Sequence, residues 1–310
     1  MDSQKPRDIS EPGHQVFGGV KVEVRYVTTG DGARLAVSRI KPRNREPLPF
    51  PVILVHGSYA TRSFWVSEKG VGLGVFLADQ GFDVWIPELR GHGLSPKGPA
   101  FSEITAEDQI RRDLPAIQDA LWRMTQAPAF WIGHSFGGLF ILSALSAGWL
   151  NQERMRSLVT FGSQISYGDR YLKIPPVVWA LSALLRLTGN LPAPRLGLGP
   201  EIEAAGTILE TIRWKKFRGR WTTSEGVSYW DGLEDITLPV MTYAAADDKN
   251  DPAHGCRKIH KRLGSLNKMF LVLGKDAGFS RDYDHVGMVV SKEAKDEVWP
   301  ELVGWMKDRV

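Results

Sequence analysis

Apolar and polar positions along this chain switch repeatedly between two periods, and each switch marks an element. Short apolar runs stand at Val52-Ile53-Leu54-Val55, Phe82 to Ile86, Ala129-Phe130-Trp131-Ile132, Ser157 to Phe161, Val240 to Ala245 and Met269 to Leu273. Runs of this length, bounded by turn signals, read as strands buried on both faces. Longer stretches between them predict helices: Phe76 to Gln80, stopping at Gly81, then Glu103 to Thr125, Gly138 to Leu150 and a closing Glu293 to Val310. Ahead of these, Val20 to Val27 and Arg34 to Ile40 flank Thr29-Gly30-Asp31-Gly32 and predict an antiparallel hairpin. Repeated strand–helix–strand units predict the α/β class, a mostly parallel sheet with helices on both faces.

The alternation breaks between about Ser163 and Asp235, where Pro, Gly, Trp and Leu accumulate. Ile174 to Leu185 is apolar nearly all round, and Ile208 to Lys216 and Ser228-Tyr229-Trp230 follow. Two readings stand: a helical cap inserted between two strands to roof a site, or an ordinary buried helix layer. The first divides the chain into an N-terminal extension (1–19), a core (20–162 and 236–310) and a cap insertion (163–235).

Composition narrows the partners. With 310 residues, 43% hydrophobic and 24% charged, the chain can bury a large core. The formal charge of +4 is mild, but cations and aromatics interleave in Arg213-Trp214-Lys215-Lys216-Phe217-Arg218-Gly219-Arg220. No nucleic-acid-binding module surrounds that run, so no nucleic acid is expected. It reads as a solvated face or as a patch drawn to anionic lipid headgroups, which would make the cap a peripheral membrane contact. Cys256 is the only cysteine, which excludes an intramolecular disulfide and a cysteine metal cluster. His254 and His260 near Asp247, Asp248 and Asp251 fit no metal motif, and no metal or cofactor is expected. Met1 to Gly13 lacks the apolar core of a secretory signal, and no run of about 18 apolar residues marks a span. A cytoplasmic protein is the default expectation.

The chemistry gathers on Gly133-His134-Ser135-Phe136-Gly137, a G-x-S-x-G pattern between a predicted strand and a predicted helix. So tight a turn strains its central residue, and small glycines let the two arms approach. The serine oxygen is lifted clear of the sheet, and the helix N-terminus aims N–H groups at negative charge forming there. A serine hydroxyl needs a base, and histidine titrates near the operating pH. His285, in the polar stretch Asp282 to Met288 after the last strand, lies where ligands collect beyond a parallel strand. His134 adjoins Ser135 but is aimed away by the turn. The base needs an orienting carboxylate, and Val240 to Ala245 runs straight into Asp247 and Asp248. These two compete; Asp248 is favoured because Pro252, four residues on, sets the following turn. Two N–H donors should face the developing oxyanion. Phe136 supplies one, and the loop His56-Gly57-Ser58-Tyr59 the other, assigned to Ser58 with Tyr59 as the fallback.

These motifs, with Arg90-Gly91-His92-Gly93-Leu94-Ser95 and Asp284-His285, resemble the α/β-hydrolase superfamily over roughly Val20 to Val310. The order Ser135, Asp248, His285 matches that family's serine–acid–histidine order. Phe76 to Trp85 is similar to the acid lipase branch, which hydrolyses neutral lipid esters, whereas Arg90-Gly91-His92-Gly93 is closer to bacterial cytoplasmic members. The resemblance implies a carboxylic ester hydrolase acting on a small-molecule or lipid ester with a hydrophobic acyl group. An acyltransferase on the same three residues, or a binding protein on the same fold, are the alternatives. Serine at the elbow argues against the epoxide hydrolases and dehalogenases, which use aspartate there.

Overall fold

A computed structural model describes Ser10 and residues 13–43, 45–167 and 170–310. Its central sheet begins with β1 (Gly13–Phe17), β2 (Val20–Thr28) and β3 (Arg34–Ile40), joined by turns too short for a crossover and therefore antiparallel. β4 (Val52–Val55), β5 (Val84–Pro87), β6 (Ala129–His134), β7 (Met155–Phe161), β10 (Val240–Ala245) and β11 (Lys268–Leu273) pair in parallel, in the order β1-β2-β3-β5-β4-β6-β7-β10-β11. β8 (Asn190–Leu191) and β9 (Glu203–Ala204) form a separate small ribbon.

Alternation within the strands sorts the core into two layers. Ile53 and Val55 of β4 and Trp131 of β6 face one side; Val52, Leu54, Phe130 and Ile132 face the other. The first side is covered by α3 (Leu114–Thr125), through Leu114, Ile117 and Leu121, and by α4 (Phe136–Ser146), through Leu139, Phe140 and Leu142. The second is covered by α1 (Leu73–Asp79) and α10 (Lys292–Lys307), through Leu73, Leu77, Val298 and Leu302. Each such side chain contributes about 1.5–3 kcal/mol of burial, so sheet and helices are mutually locked. α8 (Ala253–Arg262) lies against β10 and β11, and the short α9 (Gly287–Val290) precedes α10.

Three elements differ from expectation. β1 lies inside the stretch read as an extension; its exposed edge carries too little apolar periodicity to announce a strand. The stretch expected as one helix from Glu103 starts at α2 (Ala106–Asp108), behind a Thr105–Asp108 capping box, and reaches α3 through a π-helical turn at Gln109–Asp113. Pro115 lacks the N–H that would continue the ladder, and the wider turn absorbs the loss. α4 starts directly after Ser135 rather than at Gly138.

Between β7 and β10 the chain forms α5 (Pro175–Thr188), α6 (Ala193–Leu196) and α7 (Ala205–Lys215), with a small apolar cluster of Leu172, Val178, Leu185, Ala205 and Ile212. α5 is no buried layer: within it only Val178 and Leu185 are buried. β9 and α7, by contrast, are strapped down by polar bonds. Glu203 accepts from the Tyr59 amide at 3.3 Å and faces His92 Nε2 at 3.2 Å, and Glu210 accepts from the Glu107 amide at 2.8 Å. Among the described residues no helix is long and apolar enough to cross a membrane.

Candidate active site

Ser135 sits at the tip of β6 with φ 53° and ψ −123°, a conformation costly for a side-chain-bearing residue. The turn survives because glycines stand two positions away on either side of it. A Cβ on Gly137 would lie 2.4 Å from the Val55 carbonyl oxygen, and one on Gly133 the same distance from the Gly138 nitrogen. The Ser135 amide donates to the Phe161 carbonyl at 2.7 Å, and Ser163 Oγ donates to the Ser135 carbonyl at 2.9 Å. Backbone strain is thus held by bonds on both sides of the serine.

His285 lies on the loop between β11 and α9, and its Nδ1 donates to Asp248 Oδ2 at 2.6 Å. Burial alone would push the Asp248 carboxyl up, but the His285 bond and the amides of Asp251 and Asn250 hold it below its ordinary value. For the imidazole, burial opposes charging, yet the Asp248 bond and the Asp251 and Asp248 charges outweigh it, and the pKa is raised. Asp247 turns outward: its amide donates to the Tyr283 carbonyl at 2.9 Å, while its side chain is 60% exposed beside Lys249. Ser135 and His285 are brought to one loop cluster, but among the described residues Ser135 Oγ and His285 Nε2 share no hydrogen bond.

His134 does not act from the serine side. It is buried and stacked on Phe64 at 4.4 Å, and its Nε2–H donates to the His285 carbonyl at 2.8 Å. Burial, with His285 nearby, lowers its pKa to about 3, so it stays neutral and holds the histidine loop. The residue before the serine therefore fixes the loop that carries His285.

The loop after β4 packs against the elbow, since a Cβ on Gly57 would stand 3.0 Å from Ser135 Cβ. Phe136 opens α4, so its N–H has no acceptor within the helix. The Tyr59 amide is engaged by Glu203, whereas among the described residues the Ser58 amide donates to no protein group. His56 stays neutral, its pKa lowered by burial to about 3, and its Nε2 accepts from the Leu89 amide at 3.2 Å. Two side chains that sequence reasoning did not place also face the site: Asp251 Oδ2 lies 3.6 Å from His285 Nε2, and Lys215 Nζ lies 5.0 Å over the Phe136 ring.

A profile of the family described as "Alpha/beta hydrolase family" matches residues 52–302. Lipase member N of Homo sapiens is 30% identical over 165 residues, 49% of this chain and 42% of that protein. Triacylglycerol lipase 2 of Arabidopsis thaliana is 30% identical over 210 residues, 63% of this chain and 49% of that protein. The chain thus aligns with about half or less of the length of these relatives. A soluble variant of monoglyceride lipase from Saccharomyces cerevisiae, solved with a substrate analogue, superposes with a TM-score of 0.67, covering 98% of this chain and 97% of that one. At 15% identity that likeness is one of fold.

Proposed function

The chain belongs to the α/β-hydrolase family, and from that premise we propose that it is a serine hydrolase of carboxylic esters acting through an acyl-enzyme on Ser135. The observation that carries this reading is the 2.6 Å contact of His285 Nδ1 with Asp248, on a loop that His134 ties to the strained Ser135 turn. Asp248 keeps the proton on Nδ1, which leaves Nε2 as the base. Substrate arrival closes the gap between Nε2 and Ser135 Oγ. Oγ attacks the acyl carbon as Nε2 takes its proton. The oxyanion is received by the amides of Phe136 and Ser58, each contributing about 3 kcal/mol. Collapse expels the alcohol, which takes the proton back, and water activated by the same nitrogen releases the acid.

Residues 163–235 act as a cap over this site, and its outer face suits a hydrophobic ester held at a lipid surface. Leu187 is 86% and Trp179 72% exposed, with Ile174 and Leu184 beside them on the same helix or at its start. The sequence from 170 to 200 contains Arg170, Lys173, Arg186 and Arg195 and no acidic residue. Apolar anchors with cations around them favour an anionic membrane surface. The lipase activities in the relatives' names belong to those proteins; they make a lipid ester the first class to assay.

Fluorophosphonate labelling of the wild type and Ser135→Ala, with a panel of esters graded by acyl length, tests the reading. The label should sit on Ser135, and the variant should lose roughly 10⁴-fold or more in turnover. A wild type that takes no label and turns over no ester sinks it.

A further inference from the structure

A second acid faces the base histidine from the opposite edge of its ring. Asp251 lies three residues after Asp248, and its amide donates to Asp248 Oδ1 at 2.8 Å, so one turn sets both carboxylates. Asp248 holds Nδ1, while Asp251 Oδ2 stands 3.6 Å from Nε2. Asp251 is itself fixed: Oδ1 accepts from Gln164 Nε2 at 2.5 Å, and Gln164 is pinned at 2.8 Å by the main chain of Tyr167. The same Oδ1 lies 3.9 Å from Nζ of Lys215, the last residue of cap helix α7. Both partners are largely buried, Lys215 retaining 13% and Asp251 10% of side-chain exposure. A core carboxylate and a cap ammonium therefore meet at the ring edge from which the base must work.

Resting on the reading of His285 as the base, we infer that Asp251 is a positioning residue that holds the imidazolium from its Nε2 side, and that Lys215 sets how strongly it does so. Before proton transfer, the neutral imidazole shares the site with two carboxylates and one ammonium. After transfer the four groups sum to zero charge. The added positive charge is stabilised where it forms, which favours the transition state over the ground state. The same field favours the protonated imidazole at rest, so the base titrates higher, and Lys215 offsets part of that effect. Burial pushes the Asp251 carboxyl up, against the pull of Lys215 and His285, so its effect is present only where it is ionised.

The other groups around the ring leave this balance intact. His134 stays neutral, as described above. The Cys256 thiol, pushed up by burial and by Asp251 and Asp248, also stays neutral. Asp284 turns its carboxylate to the amides of Val286 and Gly287.

The test is the acid limb of kcat/KM for a neutral, short-chain ester in the wild type, Asp251→Asn and Lys215→Met. Removing the carboxylate destabilises the imidazolium, so Asp251→Asn should move the limb down by about one pH unit and lower the plateau kcat up to about tenfold. Removing the ammonium should move the limb up by about half a unit. A structural defect has no reason to move the two variants in opposite directions. An unmoved limb, or shifts of the same sign, overturns the inference. If Asp251→Asn does not fold, the presence or absence of the upward shift in Lys215→Met decides alone. NMR titration of histidine-labelled Ser135→Ala, with and without each second substitution, reads His285 without turnover. Ester hydrolysis with an unmoved limb rejects this inference and leaves the proposed function standing. Absence of hydrolysis rejects the proposed function, and the NMR shifts then judge the charge arrangement by themselves.

Discussion

Asp247 and Asp248 leave strand β10 as neighbours and end in opposite surroundings. The first points to solvent; the second is fully enclosed and accepts the His285 proton bond while two amides fill its other oxygen. If Asp248 orients the base, Asp248→Asn should lower kcat by roughly 10³–10⁴-fold, because the amide favours the wrong imidazole tautomer. Asp247→Asn should stay within about twofold of the wild type. Single-turnover kinetics on one ester would check both, and the reverse ranking would reject the assignment. The apolar run of β10 already pointed to this pair, but no periodicity separates adjacent residues at the end of a strand. What separates them is the Asp247 amide bonding to the Tyr283 carbonyl, a contact between segments far apart in sequence. Lys215 was illegible for the same reason: it reads as one cation in a basic run until α7 carries it over Phe136.

At the scale of elements, the strand–turn–helix around Ser135 was legible because its demands are local. Close approach excludes side chains at fixed positions, and glycine is the sequence mark of that exclusion. Gly137→Ala would place a methyl 2.4 Å from the Val55 and 2.5 Å from the His56 carbonyl oxygen, both backbone atoms that cannot step aside. It should destabilise by about 1–3 kcal/mol or more and abolish fluorophosphonate labelling. Gly304, inside α10 with nothing within 4 Å of an added Cβ, is the control: alanine there should be neutral or stabilising by up to about 1 kcal/mol. Thermal melts of the two variants decide it, and equal melting temperatures would mean that the elbow tolerates what its geometry forbids. Elements whose limits depend on tertiary contacts were less legible. β1 is a strand because β2 offers it an edge, and the helix before α3 breaks where Pro115 meets a packed turn.

For the whole molecule, the decisive asymmetry lies in how the segment between β7 and β10 is fastened. On the β9–α7 side, Glu203, Thr207 and Glu210 reach partners in the loops after β4 and β5 and in the helical turns before α3, and Ile212 and Trp214 are buried as well. On the α5 side only Val178 and Leu185 are buried, worth about 3–6 kcal/mol together before the entropy of ordering fourteen residues is subtracted. Opening of α5 should therefore cost much less than opening of α7. Hydrogen exchange followed by mass spectrometry should show peptides from Pro175–Thr188 exchanging at least about tenfold faster than those from Ala205–Lys215. Anionic vesicles should slow the first set and leave the second unchanged, since the exposed Trp179 and Leu187 belong to α5 alone. Equal protection of the two helices would show that α5 is held by packing the burial pattern does not reveal. Slowing of neither helix by anionic vesicles would remove the lipid surface from the proposed function while leaving the chemistry at Ser135 untouched. If α7 holds while α5 opens, Lys215 should stay beside Asp251, and the charges around His285 should not depend on whether α5 is docked on a surface.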